Sequence, residues 1–349
     1  MKKHFLFFIL LAISEIVNGQ DSSGKFVYDT LYSDALKNEV GEKSTRRVSV
    51  YLPPNYELSD VKYPVVYYLH GITQSDSTLI SNYKIEKLLN EGIKKGKIRP
   101  AIFVISDQYT LYRGSFYTNS PIAGKWSDFT ANDLVNYIDQ RYRSIPNRES
   151  RGIAGHSMGG HGALKLAMLF PEVFANVYAL SPFVLGLEKD FGPNARAYQQ
   201  AQLIQSRKEL INGFRNIHAN SVVAAGRAFS PNINKPPFYA DLPYSYDGDS
   251  LVVNSEILDL WNKNLPNEMI KDYTKQLESL NSIKLDWGRN DQFTHIPSTS
   301  RIFSEKLEEY SINHFAEEYN GSHIDKIYTN DGRFINEMLP FFDTYLNFE

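Results

Sequence analysis

Cysteine is absent from the chain, and several kinds of site are excluded with it. Without a thiol, the 349-residue protein can form no disulfide, no thiolate zinc site, no iron–sulfur cluster, no lipid-modified N-terminal cysteine and no cysteine nucleophile. A large charge imbalance is missing as well, because 37 Lys and Arg residues oppose 40 Asp and Glu residues. The net charge of -3 provides no sequence-wide attraction to nucleic acid or anionic lipid. We therefore expect a small or neutral partner and no nucleic acid.

Long apolar runs are also lacking beyond the first residues. Lys2 and Lys3 precede an apolar run from Phe5 to Ile13, and the small residue Gly19 closes the segment. This pattern predicts a secretory signal peptide over residues 1–19, with cleavage near Gly19. The run is shorter than the roughly 20 apolar residues of a membrane span, and an N-terminal anchor is the alternative. We expect a secreted or periplasmic protein whose mature chain, residues 20–349, has no stable membrane span.

Strand and helix patterns alternate along the mature chain. Its first two strand segments have the period of two that is typical of antiparallel strands, and several later ones are nearly continuous apolar runs, which is typical of parallel strands covered on both faces. The predicted strands are residues 26–32, 46–52, 65–69, 101–105, 152–154, 177–180, 283–285 and 315–319. The predicted helices are residues 84–92, 131–142, 158–170, 297–310 and 334–346. This order predicts an α/β fold with a mostly parallel central sheet flanked by helices.

The alternation is interrupted once, between about residues 187 and 282. This segment has a centre rich in proline and aromatic residues, which includes Phe238 and Tyr239, and helical patterns such as residues 256–262 and 268–280 flank it. An unstructured loop of this length is uncommon in a compact domain. We expect a helical cap inserted into a single sheet domain, because its aromatic residues need a surface to cover. A surface insertion without a role at the site is the alternative.

The motif Gly155-His156-Ser157-Met158-Gly159 stands between a predicted strand and a predicted helix. A Gly-x-Ser-x-Gly sequence in this context is typical of a nucleophile elbow, which is a sharp strand-to-helix turn. Side chains at the two glycine positions would clash with the crossing chain, and the serine would lie at a helix N-terminus beside free backbone N–H groups. The motif predicts Ser157 as a nucleophile. A glycine-rich packing turn is the alternative.

A serine hydroxyl needs an imidazole to take its proton, and the imidazole needs a carboxylate to orient it. In this type of fold the acid and then the histidine follow the serine along the chain. His323 follows the predicted strand 315–319, and Asp291 follows the strand that begins at residue 283, so both belong to the carboxyl edge of the sheet. We predict Asp291 as the acid and His323 as the base.

Other acids and histidines fit these roles less well. His314 precedes its strand, and Asp286 lies within one, where a structural or solvent-facing role is expected. His295, four residues after Asp291, is the main rival base, although it is expected to begin a helix.

Acyl transfer also needs two hydrogen-bond donors for the tetrahedral oxyanion. The N–H of Met158, directly after the nucleophile, is one candidate, and the N–H of Ile72, in the loop after residues 65–69, is the other. Gly71 allows the backbone to turn inward there, and His70 is expected to brace the loop. This chemistry needs neither a metal nor a cofactor.

Together these motifs resemble the putative-esterase family of α/β-hydrolases, over about residues 26–186 and 283–346. The resemblance rests on residues 51–56, 63–71, 137–139, 142–143, 145–146, 155–160 and 179–182. The family includes esterase D and S-formylglutathione hydrolases, feruloyl and acetyl-xylan esterases, enterochelin-type esterases and mycolyltransferases. It implies the α/β-hydrolase fold, with Ser157, Asp291 and His323 as the triad and Ile72 and Met158 as oxyanion donors. The long segment before Asp291 departs from compact members.

The function we expect is that of a secreted serine carboxylester hydrolase, acting through an acyl-enzyme. Esters of polysaccharides or phenolic acids suit an exported enzyme, and we predict His156, Trp126, Phe238 and Tyr239 as substrate-binding residues. Core packing is the alternative for the aromatic side chains. An acyltransferase of the mycolyltransferase type, with a sugar or lipid alcohol as acceptor, and a non-catalytic binding protein of the same fold are the alternative functions.

Overall fold

The computed structural model describes residues 23–349, so the predicted signal peptide, residues 1–19, lies outside the described residues. All eight strands predicted from the sequence are present. The strands are β1 (Lys25–Tyr32), β2 (Thr45–Leu52), β3 (Val65–Leu69), β4 (Ile102–Ser106), β5 (Asn119–Ser120), β6 (Gly124–Lys125), β7 (Arg151–His156), β8 (Asn176–Leu180), β9 (Tyr244–Asp247), β10 (Ser250–Val253), β11 (Ser282–Gly288) and β12 (Phe315–Tyr319).

Eight of the strands form one sheet in the order β1-β2-β4-β3-β7-β8-β11-β12. β2 pairs antiparallel with both β1 and β4, and every later pair in the sheet is parallel. The pairs β5–β6 and β9–β10 form two small sheets of their own. Because β3, β7, β8, β11 and β12 run in one direction, the loops at their carboxyl ends meet along one edge. The predicted fold class, α/β with a mostly parallel central sheet, is confirmed.

Helices cover both faces of this sheet. They are α1 (Asp76–Ser81), α2 (Ile85–Lys94), α3 (Trp126–Asp128), α4 (Val135–Arg141), α5 (Met158–Leu169), α6 (Arg196–Leu203), α7 (Arg207–Leu210), α8 (Ile217–Phe229), α9 (Ser255–Asn262), α10 (Pro266–Met269), α11 (Thr274–Glu278), α12 (His295–Glu309) and α13 (Leu339–Tyr345). Segments of π-helix, Phe129–Leu134 and Phe334–Met338, lead into α4 and α13. Short 3-10 turns occupy Asp34–Leu36, Tyr56–Leu58, Arg148–Ser150, Lys189–Phe191 and Ile270–Asp272.

One helical prediction is wrong in detail. The pattern over residues 268–280 predicts a single helix, whereas the structure has α10, a 3-10 turn and α11 in succession. The break lies at Tyr273, whose φ of -122° and ψ of 22° leave the α region and interrupt the hydrogen-bond ladder.

The core extends on both faces of the sheet. β3, β4, β7 and β8 are buried along their whole length, whereas the edge strands β1 and β12 each bury only one residue fully. The central strands therefore read as nearly continuous apolar runs because both of their faces are covered.

The segment between β8 and β11, which we call the insertion, contains α6 to α11 and the hairpin β9–β10. Its aromatic side chains Phe191, Tyr198, Phe229 and Trp261 are buried together, with the Trp261 ring centroid 5.5 to 6.4 Å from the other three. These rings belong to the same apolar cluster as residues of β3 and β11. The insertion therefore packs directly on the sheet domain and shares its core.

Candidate active site

Ser157 lies in the turn between β7, which ends at His156, and α5, which begins at Met158. Its backbone angles, φ 59° and ψ -121°, are strained for a residue with a side chain. The two flanking glycines are required by close packing. A Cβ on Gly155 would lie 2.4 Å from the carbonyl of Gly159, and one on Gly159 would lie 2.0 Å from Leu69 O. This crowding holds the strained turn that aims the serine outward from the strand.

The side chains of Ser157, His323 and Asp291 form one hydrogen-bonded chain. His323 Nε2 is 3.0 Å from Ser157 Oγ, and His323 Nδ1 is 2.8 Å from Asp291 Oδ2. All three residues are buried, with 3 to 5 % of their surface exposed. Since a carboxylate only accepts, Nδ1 carries the proton and Nε2 is free to accept the serine proton. The structure thus brings together the three residues that we predict as the triad.

The loops that carry Asp291 and His323 are bonded to each other. Asn290 N–H donates to Gly321 O at 2.9 Å, and the N–H of His323 donates to Gln292 Oε1 at 3.3 Å. Asp291 Oδ1 accepts from Phe293 N–H at 2.9 Å, which leaves Oδ2 for the histidine. The neighbouring ends of β11 and β12 therefore hold the acid and the base in register.

The predicted oxyanion donors flank the serine. Gly71, directly before Ile72, lies so close to the nucleophile that a Cβ there would be 3.3 Å from Ser157 Cβ. The Met158 N–H belongs to the first turn of α5, whose amides have no intrahelical acceptor. Gly114 packs against the side chains of both Met158 and Ile72. The two residues that carry the predicted donors are thus neighbours in space, although one follows β3 and the other begins α5 after β7.

His156 has a different position from the one predicted for a substrate-binding residue. Its ring is 1 % exposed, and Nε2 lies 2.7 Å from His323 O, so Nε2 carries a proton and donates it to that carbonyl. Burial and the neighbouring His323 hold the pKa of His156 well below the usual value, so the ring is neutral. His156 supports the His323 backbone from behind and presents no face to a ligand.

Trp126 also differs from its predicted role. It is 1 % exposed in a small cluster with Leu36 and Phe129, its Nε1–H donates to Ala123 O at 2.9 Å, and the guanidinium of Arg46 covers the ring at 4.6 Å. Trp126 therefore packs in the core, which is the alternative to its predicted substrate-binding role.

Phe238 and Tyr239, which also carry a substrate-binding prediction, lie in the insertion and are half-buried. The Phe238 ring meets the edge of Tyr112 at 6.2 Å, and the Tyr239 ring is 5.9 Å from the Arg227 guanidinium. Tyr112 belongs to the loop that packs on the oxyanion candidates, so Phe238 borders that loop. The substrate-binding role of both aromatics stays a prediction.

The rival residues have other partners. His295 is buried at the start of α12 and its Nδ1 lies 2.8 Å from Asp190 Oδ1. Asp286 is buried between Tyr178 OH and Arg333 Nε, both at 2.5 Å, and burial raises its pKa to about 6. His314 bonds to Ser304. None of these three residues contacts Ser157 within the described range 23–349.

His70 braces the loop after β3. Its Nδ1–H donates to Gly71 O and its Nε2 accepts from Gln108 N–H, both at 2.9 Å. Because the carbonyl can only accept and the amide can only donate, the ring is the neutral Nδ1–H tautomer. Burial lowers its pKa, in accord with the neutral form. This position agrees with the bracing role expected for it.

The role of Asp190 is not identified from the sequence. It lies in the insertion, and its Oδ1 accepts from the backbone N–H of His295 at 2.7 Å and from Thr294 Oγ1 at 3.1 Å, so it caps the start of α12 just after Asp291. Burial acts to raise the pKa of Asp190, but hydrogen bonds from His218 and His295 outweigh it and lower the pKa. No local pattern signals this cap, because it joins residues more than 100 positions apart.

Residues 23–349 contain neither a candidate metal site nor a candidate membrane span. No group of three or more His, Asp or Glu side chains is arranged to hold a metal ion. No helix in that range combines the length and the apolar character needed to cross a membrane.

Comparison with known proteins places this site in context. The family model described as "Putative esterase" matches residues 41–331. A solved ferulic acid esterase superimposes with a TM-score of 0.61 at 21% identity, covering 93% of this chain and 100% of that chain. An S-formylglutathione hydrolase from Agrobacterium tumefaciens superimposes with a TM-score of 0.61 at 18% identity, covering 94% and 98%. A fluorophosphonate-binding serine hydrolase of Staphylococcus aureus gives 0.57 at 16% identity, covering 92% and 99%.

At these identities the structures show a shared fold, and the family assignment comes from the family model. The matched range contains the elbow, the acid loop, the base loop and the whole insertion. The chain therefore belongs to the putative-esterase family of α/β-hydrolases and is a carboxylic ester hydrolase.

Proposed function

We propose that the protein is a secreted serine esterase with Ser157, His323 and Asp291 as its catalytic triad. The observation that carries the proposal is the continuous chain of hydrogen bonds from Asp291 Oδ2 through His323 to Ser157 Oγ, at 2.8 and 3.0 Å. Nucleophilic acyl transfer requires this relation of nucleophile, base and orienting acid. Secretion is proposed from the signal-peptide pattern of residues 1–19.

In the proposed reaction, His323 Nε2 takes the proton of Ser157 as Oγ attacks the ester carbonyl carbon. The carbonyl oxygen becomes an oxyanion and accepts from the N–H groups of Ile72 and Met158. Asp291 stabilises the imidazolium, which then gives its proton to the leaving alcohol. Water attacks the acyl-enzyme with His323 again as base, and the carboxylic acid leaves.

We further propose that the substrates are esters of polysaccharides or phenolic acids. The likeness to a ferulic acid esterase supports this substrate class, and so do the half-buried aromatic side chains of Phe238 and Tyr239 in the insertion. Aromatic rings provide flat apolar faces on which phenolic and sugar rings stack.

Replacing the nucleophile tests the proposal. Ser157→Ala is expected to lower kcat on a nitrophenyl acetate by about 10⁴-fold or more and to abolish labelling by a fluorophosphonate. Circular dichroism and thermal melting of the variant provide the folding control. Parent-level hydrolysis by folded Ser157→Ala protein would contradict the proposed nucleophile.

A panel of esters tests the substrate class. It contains nitrophenyl acetate, methyl ferulate, an acetylated xylo-oligosaccharide and an acylated lipid, each with and without a sugar alcohol as acceptor. The highest kcat/KM is expected on the feruloyl or acetylated-sugar ester, with free acid as the product. Transfer of the acyl group to the added alcohol as the main reaction would instead identify an acyltransferase.

A further inference from the structure

The loop of residues 110–114, which follows β4, lies against both proposed oxyanion donors. A Cβ on Gly114 would lie 2.9 Å from Met158 Sδ and 3.2 Å from Ile72 Cγ1, so the loop leaves no free space there. Thr110 closes the loop on itself, because its Oγ1 accepts from Gly114 N–H and donates to Gly114 O, both at 3.0 Å. A shift of this loop would therefore displace the residues that carry the two N–H groups.

A backbone hydrogen bond joins this loop to the segment that carries Ile72. Thr73 N–H, in the residue directly after Ile72, donates to Arg113 O at 2.9 Å. Both bonded residues have left-handed backbones, with φ of 65° at Thr73 and 72° at Arg113. Residues with side chains persist in that region only where the surrounding structure holds them. Contacts that hold Arg113 in place therefore support the bond.

The insertion provides this support at three successive residues of the loop. The guanidinium of Arg113 donates to Gly213 O at 2.8 Å and to Ile211 O, both in the turn between α7 and α8. Two insertion side chains donate to the carbonyls just before it, Arg207 Nε to Leu111 O and Asn220 Nδ2 to Tyr112 O, each at 2.9 Å. Within the loop of residues 110–114, only Arg113 is bonded to the insertion through its side chain and to the Ile72 segment through its backbone.

We propose that Arg113 is a positioning residue for the oxyanion hole, through which the insertion sets the place of the Ile72 N–H. The inference rests on the proposed function, since it takes Ile72 and Met158 as the donors. Oxyanion donors act only when they are held close to the position that the developing charge will occupy. A donor that is loosely held weakens binding of the transition state more than binding of the ester ground state.

The test uses two substitutions at the same position. Arg113→Met keeps an unbranched apolar side chain, shorter than that of arginine, and removes every side-chain donor, whereas Arg113→Lys keeps one charged nitrogen that cannot serve both carbonyls as a fork. On nitrophenyl acetate, Arg113→Met is expected to lower kcat by about 10- to 100-fold, somewhat less than outright removal of an oxyanion donor, while KM changes by less than about 3-fold. Arg113→Lys is expected to lie between this variant and the parent.

Affinity for a boronic acid supplies a readout that a purely structural role would not move. Its tetrahedral adduct with Ser157 places an oxygen where the oxyanion forms, so its affinity in Arg113→Met should fall by about the same factor as kcat/KM. Arg148→Met is the matched control, because Arg148 also donates to two backbone carbonyls, Pro171 O and Ser279 O, both at 2.7 Å. The control is expected to keep kcat and boronate affinity within about 2-fold of the parent.

Parent-level kcat and boronate affinity in Arg113→Met would overturn the inference. So would an equal loss of both quantities in Arg148→Met at the same melting temperature as Arg113→Met. A rise in the KM of Arg113→Met with its kcat unchanged would overturn it as well. If Arg113→Met does not fold, the same measurements on Arg113→Lys decide. An active Ser157→Ala protein would contradict the proposed function itself. An inactive Ser157→Ala protein together with a parent-like Arg113→Met protein would contradict only the role of Arg113.

Discussion

The carboxyl edge of the sheet and the insertion contribute different parts of the site. The sheet edge supplies the proposed reacting side chains, since Ser157, Asp291 and His323 each lie in a loop directly after a strand. The insertion supplies contacts to neighbouring segments, namely the carboxylate of Asp190 at the start of α12, just after Asp291, and the carbonyl of Gly213 on Arg113, beside the proposed oxyanion donors. The difference teaches that the proposed reacting groups come from the repeated topology of the fold, while part of their support comes from a segment that has no recognisable motif.

The comparison also explains why the insertion shares the sheet core. Lys165 of α5 bonds to Asn264 of the insertion at 2.6 Å, and the Phe229 ring of the insertion lies 5.3 Å from Phe116. A loosely attached lid would lack these contacts and would leave α5 without their support. A segment that packs on α5 can instead brace the turn that carries Ser157.

Substitutions at reacting and at holding residues separate the two roles, and the largest effect among the following is expected at Asp291. Asp291→Asn should lower kcat by about 10³- to 10⁴-fold, because an amide presents the wrong partner to His323 Nδ1. The melting temperature should change little. Asp286→Asn is the control, because the buried carboxylate of Asp286 bonds to Tyr178 and Arg333. This substitution should lower the folding stability, while the folded fraction keeps its kcat. Near-parent turnover by Asp291→Asn would point to another acid.

Glycine substitutions are expected to give the next largest effect. In Gly159→Ala the new Cβ would lie 2.0 Å from Leu69 O, so the elbow must shift, and we expect a loss of more than about 3 kcal/mol of folding free energy together with most activity. In Gly226→Ala of the insertion the nearest atom, Asp241 O, would be 2.9 Å away. This variant should lose about 1–2 kcal/mol and keep most of its kcat. Urea unfolding measures the stability of each variant, and initial rates measure its kcat. Equal losses in Gly159→Ala and Gly226→Ala would contradict the expected difference between the elbow and the insertion.

Asp190→Asn tests the role of the insertion in holding the start of α12, and its expected effect on stability and kcat is smaller than that of Gly159→Ala. It weakens the cap on α12, and we expect a loss of about 1–2 kcal/mol of folding free energy and a few-fold fall in kcat. Because the pKa of Asp190 is lowered in the folded protein, its stabilisation is complete above the unfolded pKa of about 3.9 and is lost as pH falls through the folded value. The difference between parent and variant should therefore shrink in acid unfolding experiments. A pH-independent difference would contradict the charged cap.

Lys165→Met is expected to have the smallest effect on activity among these substitutions. Its effect on folding stability is expected to depend on pH. Burial lowers its pKa to about 7, whereas the unfolded chain holds the proton up to about pH 10.4. Between these values the unfolded state binds more protons, so the stability of the parent relative to Lys165→Met should rise with pH by at most about 1.4 kcal/mol per unit. Urea unfolding from pH 6 to 10 measures this slope, and parallel curves for the two proteins would contradict it.

Much of the fold could be predicted because its signals are local. All eight sheet strands and the Ser157 elbow follow from apolar runs and glycine spacing, which depend on a few neighbouring residues. Asp291 and His323 could be selected because each follows a strand, and strand ends define the edge of the sheet. The helix expected over residues 268–280 fails because a single residue, Tyr273, leaves the helical region.

The sequence by itself determined the order of strands and helices, the strained serine turn and the candidates for acid and base. Only the tertiary structure decided that His156 supports His323 from behind, that Trp126 is enclosed by Leu36 and Arg46, and that Arg113 links the insertion to the oxyanion loop. The physical reason is the separation along the chain over which each interaction acts. Backbone propensity and turn geometry act over a few residues, whereas burial and hydrogen bonding between segments about 100 residues apart depend on how the chain packs in three dimensions.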